Sequence, residues 1–176
     1  AGPFIKFLTT YYRNKVHYLI GNHDADLLPL SASFSSVHTS LKFTVGQKSA
    51  IVLHGDVLDS NAYVRTKTAR LVAWIINRFD KWAHVDVRKS LVSLSELINN
   101  DPYDKLLATY ENNIVEALSG KFDIVIVGHS HRPGIKIVND LVIINTGDSM
   151  QHSTMVFGTK MGFFLYDYVK CEVIEE

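Results

Sequence analysis

Histidines, an asparagine and glycines stand together at three places in the sequence, each directly after an apolar run. Asn22 follows the run VHYLI and a glycine, His54 follows AIVL, and His129 and His131 follow DIVIV. Imidazole nitrogens and an amide oxygen are ligands that suit borderline first-row metal ions such as Mn, Fe, Co, Ni and Zn. The residue types and their positions therefore indicate a first-row metal site.

Each motif, taken alone, also has a structural explanation. An Asn-His pair at a turn usually serves the turn itself, and a histidine at a strand end, such as His54, is more often a half-buried residue with ordinary hydrogen bonds. His129 and His131 are a stronger signal, because residues i and i+2 of an extended segment share one face. Three such motifs, each after an apolar strand, favour one shared site over three separate structural roles.

The elements that must position these residues follow a mixed α/β pattern. Strands are predicted to end near residues 20, 53 and 127, and we expect their carboxyl ends to meet at one edge, where α/β folds place ligand sites. Residues 26–40 are predicted as loop. The remaining pattern predicts a hairpin over 41–53, helices over 4–12, 60–82, 88–98 and 104–118, and strands over 135–138, 141–144, 154–157, 163–168 and 172–174.

Composition limits the class of protein. The 176 residues are 47% hydrophobic, which is enough for one core, so residues 1–176 are predicted to form a single domain. The formal net charge is zero, which argues against a general nucleic-acid binder. The single cysteine, Cys171, excludes a multi-cysteine zinc site and indicates a reducing, cytoplasmic compartment. We interpret Cys171 as a small buried hydrophobe rather than a nucleophile.

The order GNHD, HGD and GHSH resembles the last three of the five sequence motifs of the calcineurin-like metallophosphoesterase family. In that family, the residues that match Asn22, His54 and His129 bind one metal ion. The residue that matches His131 binds a second ion. The resemblance therefore implies two divalent metal ions in the complete enzyme, with manganese among the candidates.

The resemblance also implies two catalytic residues in the GNHD motif. The residue that matches His23 is not a ligand; it protonates the leaving oxygen or stabilises charge at the phosphate, and the residue that matches Asp24 orients it. A hydroxide that bridges the two ions attacks phosphorus. The implied function is hydrolysis of a phosphate ester or anhydride by a metallophosphoesterase.

The fold implied by the resemblance is a four-layer α/β/β/α sandwich of two mixed sheets with a helical insertion. The two earlier family motifs, Asp-x-His and Gly-Asp-x-x-Asp, do not occur before GNHD. We therefore expect an N-terminally incomplete domain that lacks its first strands. Such a chain should bind at most one ion firmly, and its exposed sheet edge would favour a homo-oligomer.

Within the family, the chain looks most like the branch of UDP-2,3-diacylglucosamine pyrophosphatases, through HGD, the GHSHRP extension with Arg132, and a helical cap predicted over residues 60–119. Residues 61–90 contain seven Lys or Arg against two acids. This cap would attract a phosphorylated small molecule or nucleotide-lipid, with Arg65, Arg70 and Arg132 as substrate contacts, or would lie peripherally at a membrane. The alternative is a solvated helix face packed on the core.

Two classes of function remain open from the sequence. The first is a two-metal phosphohydrolase, which the His23-Asp24 pair favours because a scaffold has no need of a leaving-group acid. The second is a catalytically impaired scaffold or binding module with the same fold, which the missing ligand motifs favour. The sequence before Ala1 would discriminate between them.

Overall fold

A computed structural model of the chain describes residues 10, 15–22, 24, 36–59, 100–149 and 151–176. Within this part of the chain lie one α-helix, α1 (Asn100–Leu118), and a short 3₁₀ turn at Asp56–Leu58. The strands are β1 (His17–Leu19), β2 (Ser36–His38), β3 (Ser40–Val45), β4 (Lys48–Leu53), β5 (Ile124–Val127), β6 (Gly134–Val138), β7 (Leu141–Asn145), β8 (Thr154–Gly158), β9 (Phe163–Asp167) and β10 (Glu172–Glu175).

The largest sheet has five strands in the order β3-β4-β5-β7-β6. Its three central strands, β4, β5 and β7, run parallel, while β3 and β6 pair antiparallel with their neighbours. Strands β8, β9 and β10 form an antiparallel sheet, and β1 and β2 form a parallel pair. Because β4, β5 and β7 are parallel neighbours, their carboxyl ends share one edge, here called the carboxyl edge.

The apolar run IVIV explains the central position of β5. All four of its residues are buried, as is typical of a parallel strand covered on both faces. Tight hairpins return the chain on either side of it. Gly46 has a φ of 62° between β3 and β4, and Asn139 and Asp140 have φ values of 50° and 66° between β6 and β7. The Asn139-Asp140 turn, with positive φ at both central residues, is the two-residue type whose twist matches that of antiparallel strands.

The core brings two sheets face to face. Ala50, Ile124 and Ile126 form a buried cluster with Ile144 on one face of the five-stranded sheet. Partly buried apolar residues that pack against this cluster include Val156 of β8 and Phe163 of β9. The prediction of an α/β fold with more than one sheet is thereby confirmed.

Several boundaries differ from the predictions. Ser36–His38 was predicted as loop and is a strand, because pairing with β1 supplies the backbone partners that its local sequence does not signal. The predicted helix over 104–118 begins at Asn100. It ends before Gly120, whose φ of 72° suits a helix terminus. The helices predicted over 60–82 and 88–98 lie outside the described residues.

The chain divides into two compact units. One contains Ala1–Asp56 together with Val115–Glu176, and the other contains Val57–Ile114. The bounds of the second unit are close to those of the cap predicted over 60–119, whose role stays a prediction. No helix in the described part of the chain is both long and apolar enough to cross a membrane.

Candidate functional site

The carboxyl edge brings the second and third sequence motifs together. Strands β4 and β5 are in register up to the pair Val52 and Ile126, so the residues that follow them emerge side by side. The carbonyl of His54 then accepts hydrogen bonds from the backbone N–H groups of Gly128 and His129, at 3.1 and 3.0 Å. These bonds join the two loops directly beyond the strands. The backbone positions from which the His54 and His129 side chains project are therefore held next to each other.

A tight turn after β1 presents Asn22 to the same place. The N–H of Asp24 donates to the carbonyl of Gly21 at 3.1 Å, and the N–H of Gly21 donates to Asp24 Oδ2 at 2.6 Å. The hydroxyl of Tyr18 also donates to the Asp24 carboxylate. Burial, followed by this hydrogen bond and the carboxylate charge, raises the pKa of Tyr18 to about 12. Asp24 therefore holds the turn closed from two sides.

Gly21 is required by the imidazole of His54. A Cβ atom at position 21 would lie 2.7 to 2.8 Å from three ring carbons of His54, closer than side chains tolerate. Gly21 is buried, so the ring packs directly on the backbone. Glycine is the residue that permits this approach. The sequence showed glycines beside the polar residues, and at this position the packing of the histidine ring explains the glycine.

Three donor atoms converge between these loops. Asn22 Oδ1 lies 3.0 Å from His54 Nε2, and His129 Nδ1 lies 3.4 Å from the same nitrogen. The rings of His54 and His129 meet edge to face, with centroids 5.3 Å apart. Because each pair of atoms can share only one proton, His54 Nε2 cannot donate well to both neighbours at once. At most one of the two contacts can therefore have His54 Nε2 as its hydrogen-bond donor.

These separations fit neighbouring ligands of one metal ion. With metal–ligand bonds of about 2.1 Å, two ligands at a right angle lie about 3.0 Å apart, and two at the tetrahedral angle lie about 3.4 Å apart. The measured values of 3.0 and 3.4 Å correspond to these two cases. An amide oxygen and two imidazole nitrogens also suit first-row ions. Each of the two measured pairs, His54 with Asn22 and His54 with His129, therefore has a spacing that neighbouring ligands of one divalent ion would have.

The electrostatic surroundings favour neutral His54. Burial, and then the neighbouring His129, lower the pKa of His54 below its ordinary value. Asp56 and Asp24 act in the opposite direction, and His131 adds a small lowering. A ligand imidazole must be neutral, so the lowered pKa suits metal binding.

His131 and Arg132 lie at the same loop but outside this cluster. Both are exposed, and His131 has a φ of 59°. The N–H of His131 reaches back to the carbonyl of Gly128 at 3.4 Å, so the segment is a turn rather than the extended segment expected from i, i+2 spacing. Among the described residues, no group of three or more His, Cys, Asp and Glu is placed to hold a metal ion.

Three predicted site residues have no described position. His23, assigned a catalytic role by the resemblance, lies outside the described residues, as do Arg65 and Arg70 of the predicted cap. Their roles stay predictions. Asp24 is described, and its contacts are with Tyr18 and the Gly21 backbone.

A fourth loop at the carboxyl edge was not among the predicted site loops, because Gly147-Asp148 follows GNHD in the chain, whereas the family motif that it matches precedes it. Strand β7 is the parallel neighbour of β5, and Asn145 at its end donates from Nδ2 to Ser130 Oγ at 2.5 Å. Beyond it, His152 Nδ1 lies 2.6 Å from Asp148 Oδ2. The signal was present, because the apolar run LVII passes into Asn-Thr-Gly-Asp as the other three runs pass into their motifs.

Comparison with known proteins gives distant structural similarity only. No protein-family model matches the sequence. No curated protein is significantly similar to it. An archaeal phosphodiesterase superposes with a TM-score of 0.43 at 14% identity, over 97% of this chain and 74% of that one. A predicted phosphoesterase from Streptococcus pneumoniae TIGR4 gives a TM-score of 0.37 at 14% identity, over 97% and 84%. These scores are too low to carry a functional argument.

Proposed function

We propose that this chain belongs to a metal-dependent phosphoesterase that hydrolyses a phosphate ester or anhydride. The observation that carries the proposal is the convergence of Asn22 Oδ1, His54 Nε2 and His129 Nδ1 at the carboxyl edge. The order of the three motifs along the chain, and the residue types in each, support the same reading. The proposed ion at these three donors is a divalent first-row ion such as Mn, Fe, Co, Ni or Zn.

The protein residues hold the reacting groups in place. A bound ion supplies Lewis acidity toward a phosphoryl oxygen and lowers the pKa of water at the site. His54 and His129 are fixed by the backbone bonds between their loops, and Asn22 by the turn that Asp24 closes. His23 follows Asn22 in the chain, and we assign to it protonation of the leaving oxygen, with Asp24 as its orienting partner.

The second ion and the substrate are assigned by position in the sequence motifs. His131 would contribute a ligand to the second ion from the outer side of the turn. The exposed Arg132, with Arg65 and Arg70 of the cap, would contact a phosphorylated small molecule or a nucleotide-lipid. With one ligand for the second ion among these residues, we expect this chain to hold at most one ion firmly.

Metal titration and turnover together test the proposal. The wild-type chain is titrated with Mn²⁺ and Zn²⁺ by calorimetry, and hydrolysis of bis(p-nitrophenyl) phosphate is followed at each metal concentration. We expect His129→Ala to abolish both the bound ion and any metal-dependent turnover. His17→Ala, which removes a histidine of β1, is the matched control and should change neither. Metal-dependent turnover that survives His129→Ala would contradict the proposal.

A scaffold or binding module is the second candidate. It is favoured by the observation that no group of three or more His, Cys, Asp and Glu in the described part of the chain is placed to hold a metal ion. In that case the chain would bind one ion at Asn22, His54 and His129 and show no hydrolysis at any metal concentration. Hydrolysis of phosphodiester and phosphomonoester substrates, measured with Mn²⁺ or Zn²⁺ in excess, separates the two candidates.

A further inference from the structure

The loop after β7 lies beside the metal-ligand loops. Strands β4, β5 and β7 are consecutive parallel neighbours, and Val127 at the end of β5 is in register with Asn145 at the end of β7. The N–H of Thr146 donates to the carbonyl of Val127 at 2.8 Å. The residues that follow β7 therefore emerge at the carboxyl edge, next to the loop that carries His129.

Hydrogen bonds connect this loop to the GHSH turn. Asn145 donates from Nδ2 to Ser130 Oγ at 2.5 Å and accepts the N–H of Gly147 on Oδ1 at 3.0 Å. Thr154 donates its hydroxyl to the carbonyl of Thr146 at 2.8 Å and thereby ties the far end of the loop to its start. The loop and the turn consequently form one hydrogen-bonded unit.

This unit presents an Asp-His pair. Asp148 Oδ2 lies 2.6 Å from His152 Nδ1, and Asp148 Oδ1 accepts the N–H of Gln151 at 2.6 Å. The Asp148 side chain is 10% exposed and that of His152 is 36% exposed. Because an ionised carboxylate only accepts hydrogen bonds, Nδ1 of His152 is the donor. Nε2 lies on the opposite side of the ring from the nitrogen held by Asp148, in a side chain that is 36% exposed.

We infer that His152 is a substrate-contacting residue that binds a phosphoryl oxygen at the carboxyl edge, with Asp148 as its positioning residue. This inference rests on the proposed phosphoesterase function. In the protonated ring both nitrogens donate, Nδ1 to Asp148 and Nε2 to an anionic phosphoryl oxygen. A carboxylate that orients an imidazole through Nδ1 is a recurring arrangement in sites where the outer nitrogen acts on a ligand.

Two substitutions of His152 separate ligand contact from loop stability. An asparagine amide can replace Nδ1 and keep the bond to Asp148, whereas a glutamine amide can replace the donor at Nε2. We expect His152→Asn to weaken binding of inorganic phosphate to the Zn²⁺-loaded chain by about 10-fold or more, since a hydrogen bond to a charged group is lost. His152→Gln should stay within about 3-fold of wild type, as its outer donor remains.

Asp148→Asn and Asp123→Asn form the matched pair for the positioning role. Asp123 accepts the N–H and the hydroxyl of Ser49 at 2.6 and 2.8 Å, at the opposite end of the same strands. Both substitutions remove a carboxylate that closes local hydrogen bonds. Only Asp148→Asn should weaken phosphate binding, by several-fold, whereas both should lower the melting temperature.

Three measurements test the inference: the Kd for inorganic phosphate by calorimetry, the melting temperature, and the KM for bis(p-nitrophenyl) phosphate. Raised phosphate Kd and KM in His152→Asn, with an unchanged melting temperature, support the inference. A lower melting temperature with unchanged phosphate affinity overturns it, as does a wild-type chain that binds no phosphate. If wild type hydrolyses no ester but binds phosphate through His152, the proposed function fails and the contact stands.

Discussion

Two histidine pairs in this chain have nearly the same ring spacing, but the contacts between their ring nitrogens differ. The rings of His54 and His129 have centroids 5.3 Å apart, and those of His17 and His38 have centroids 5.6 Å apart. In the second pair, the hydroxyl of Ser36 lies between the nitrogens, 2.6 Å from His17 Nδ1 and 2.8 Å from His38 Nε2. In the first pair, the two nitrogens face each other directly at 3.4 Å.

The difference shows what separates the histidine pair proposed as ligands from the pair bridged by a hydroxyl. A hydroxyl can donate to one nitrogen and accept from the other, so Ser36 satisfies both rings of the β1–β2 pair. The atom of Asn22 that contacts His54 Nε2 is Oδ1, which only accepts hydrogen bonds and so cannot bridge two nitrogens as a hydroxyl does. Ring spacing alone therefore does not identify a metal site. The group between the nitrogens is what differs between the two pairs, and on this basis we propose only His54 and His129 as ligands.

Removing one histidine from each pair should give the largest contrast. His54→Ala takes away the central donor of the cluster, and we expect the affinity for Zn²⁺ to fall by more than about 100-fold, since changes outside the ligand shell alone cost roughly 10–100-fold. His17→Ala should leave this affinity unchanged. Zinc titrations by calorimetry on both variants measure the effect. Equal losses in the two variants would show that the pairs are equivalent and break the comparison.

Gly21→Ala tests whether packing on the Gly21 backbone holds the His54 ring in the orientation that we propose for metal binding. The added methyl group would lie 2.7 Å from the ring, and overpacking of this kind costs about 1–3 kcal/mol in unfolding free energy. The ring must also shift, so we expect weaker zinc binding. Gly134→Ala is the matched control, because its Cβ would meet only Glu175 Oε2, at 3.8 Å. Thermal unfolding and zinc titration should separate the two variants; identical behaviour would show that this packing does not hold the ring.

The three loops proposed to carry metal ligands could be predicted from sequence because one signal marks each of them. An apolar run that passes into glycine and a polar residue predicts a strand end, and β4 and β5 place His54 and His129 there as expected. The register of these strands, and so the meeting of the two rings, depends on long-range pairing that local sequence does not encode. The turn at His131 was misjudged for a different, local reason: its backbone has a positive φ and its N–H reaches back to the carbonyl of Gly128, so the segment is not extended.

The short strand β2 and the β7 loop lay beyond the local signals. Ser36–His38 has a serine-rich sequence typical of loops, and it becomes a strand only through its pairing with β1. The Asp148–His152 contact joins two residues of one loop. Asn145 at the end of β7 joins that loop to Ser130, which follows the neighbouring strand β5. Side-chain hydrogen bonds of this kind depend on the path of the loop, which composition does not specify.

Ser36→Ala tests the same comparison at the pair formed by His17 and His38. The substitution removes the hydroxyl that bridges His17 and His38, and we expect a loss of about 1 kcal/mol in unfolding free energy. With the hydroxyl gone, the nitrogens have only each other and solvent in the part of the chain described here, so a second, weaker zinc equivalent should appear. Affinity at the His54–His129 site should not change. A titration that still shows one equivalent would mean that the bridging hydroxyl is not what separates the pairs.

Tyr18→Phe gives the smallest expected effect and tests the strand that links the two regions. Strand β1 carries His17 in the Ser36-bridged pair and the next residue, Tyr18, in the hydrogen bond that closes the Asn22 turn. The pKa of Tyr18 is raised from 10.0 to about 12 in the folded chain, so its contribution to stability is fully present below pH 10. It is lost as the pH rises from 10 toward 12. Unfolding free energies measured between pH 8 and 12 should therefore decline less steeply for Tyr18→Phe than for wild type. Parallel curves would show that the Tyr18 hydroxyl does not couple β1 to the Asn22 turn.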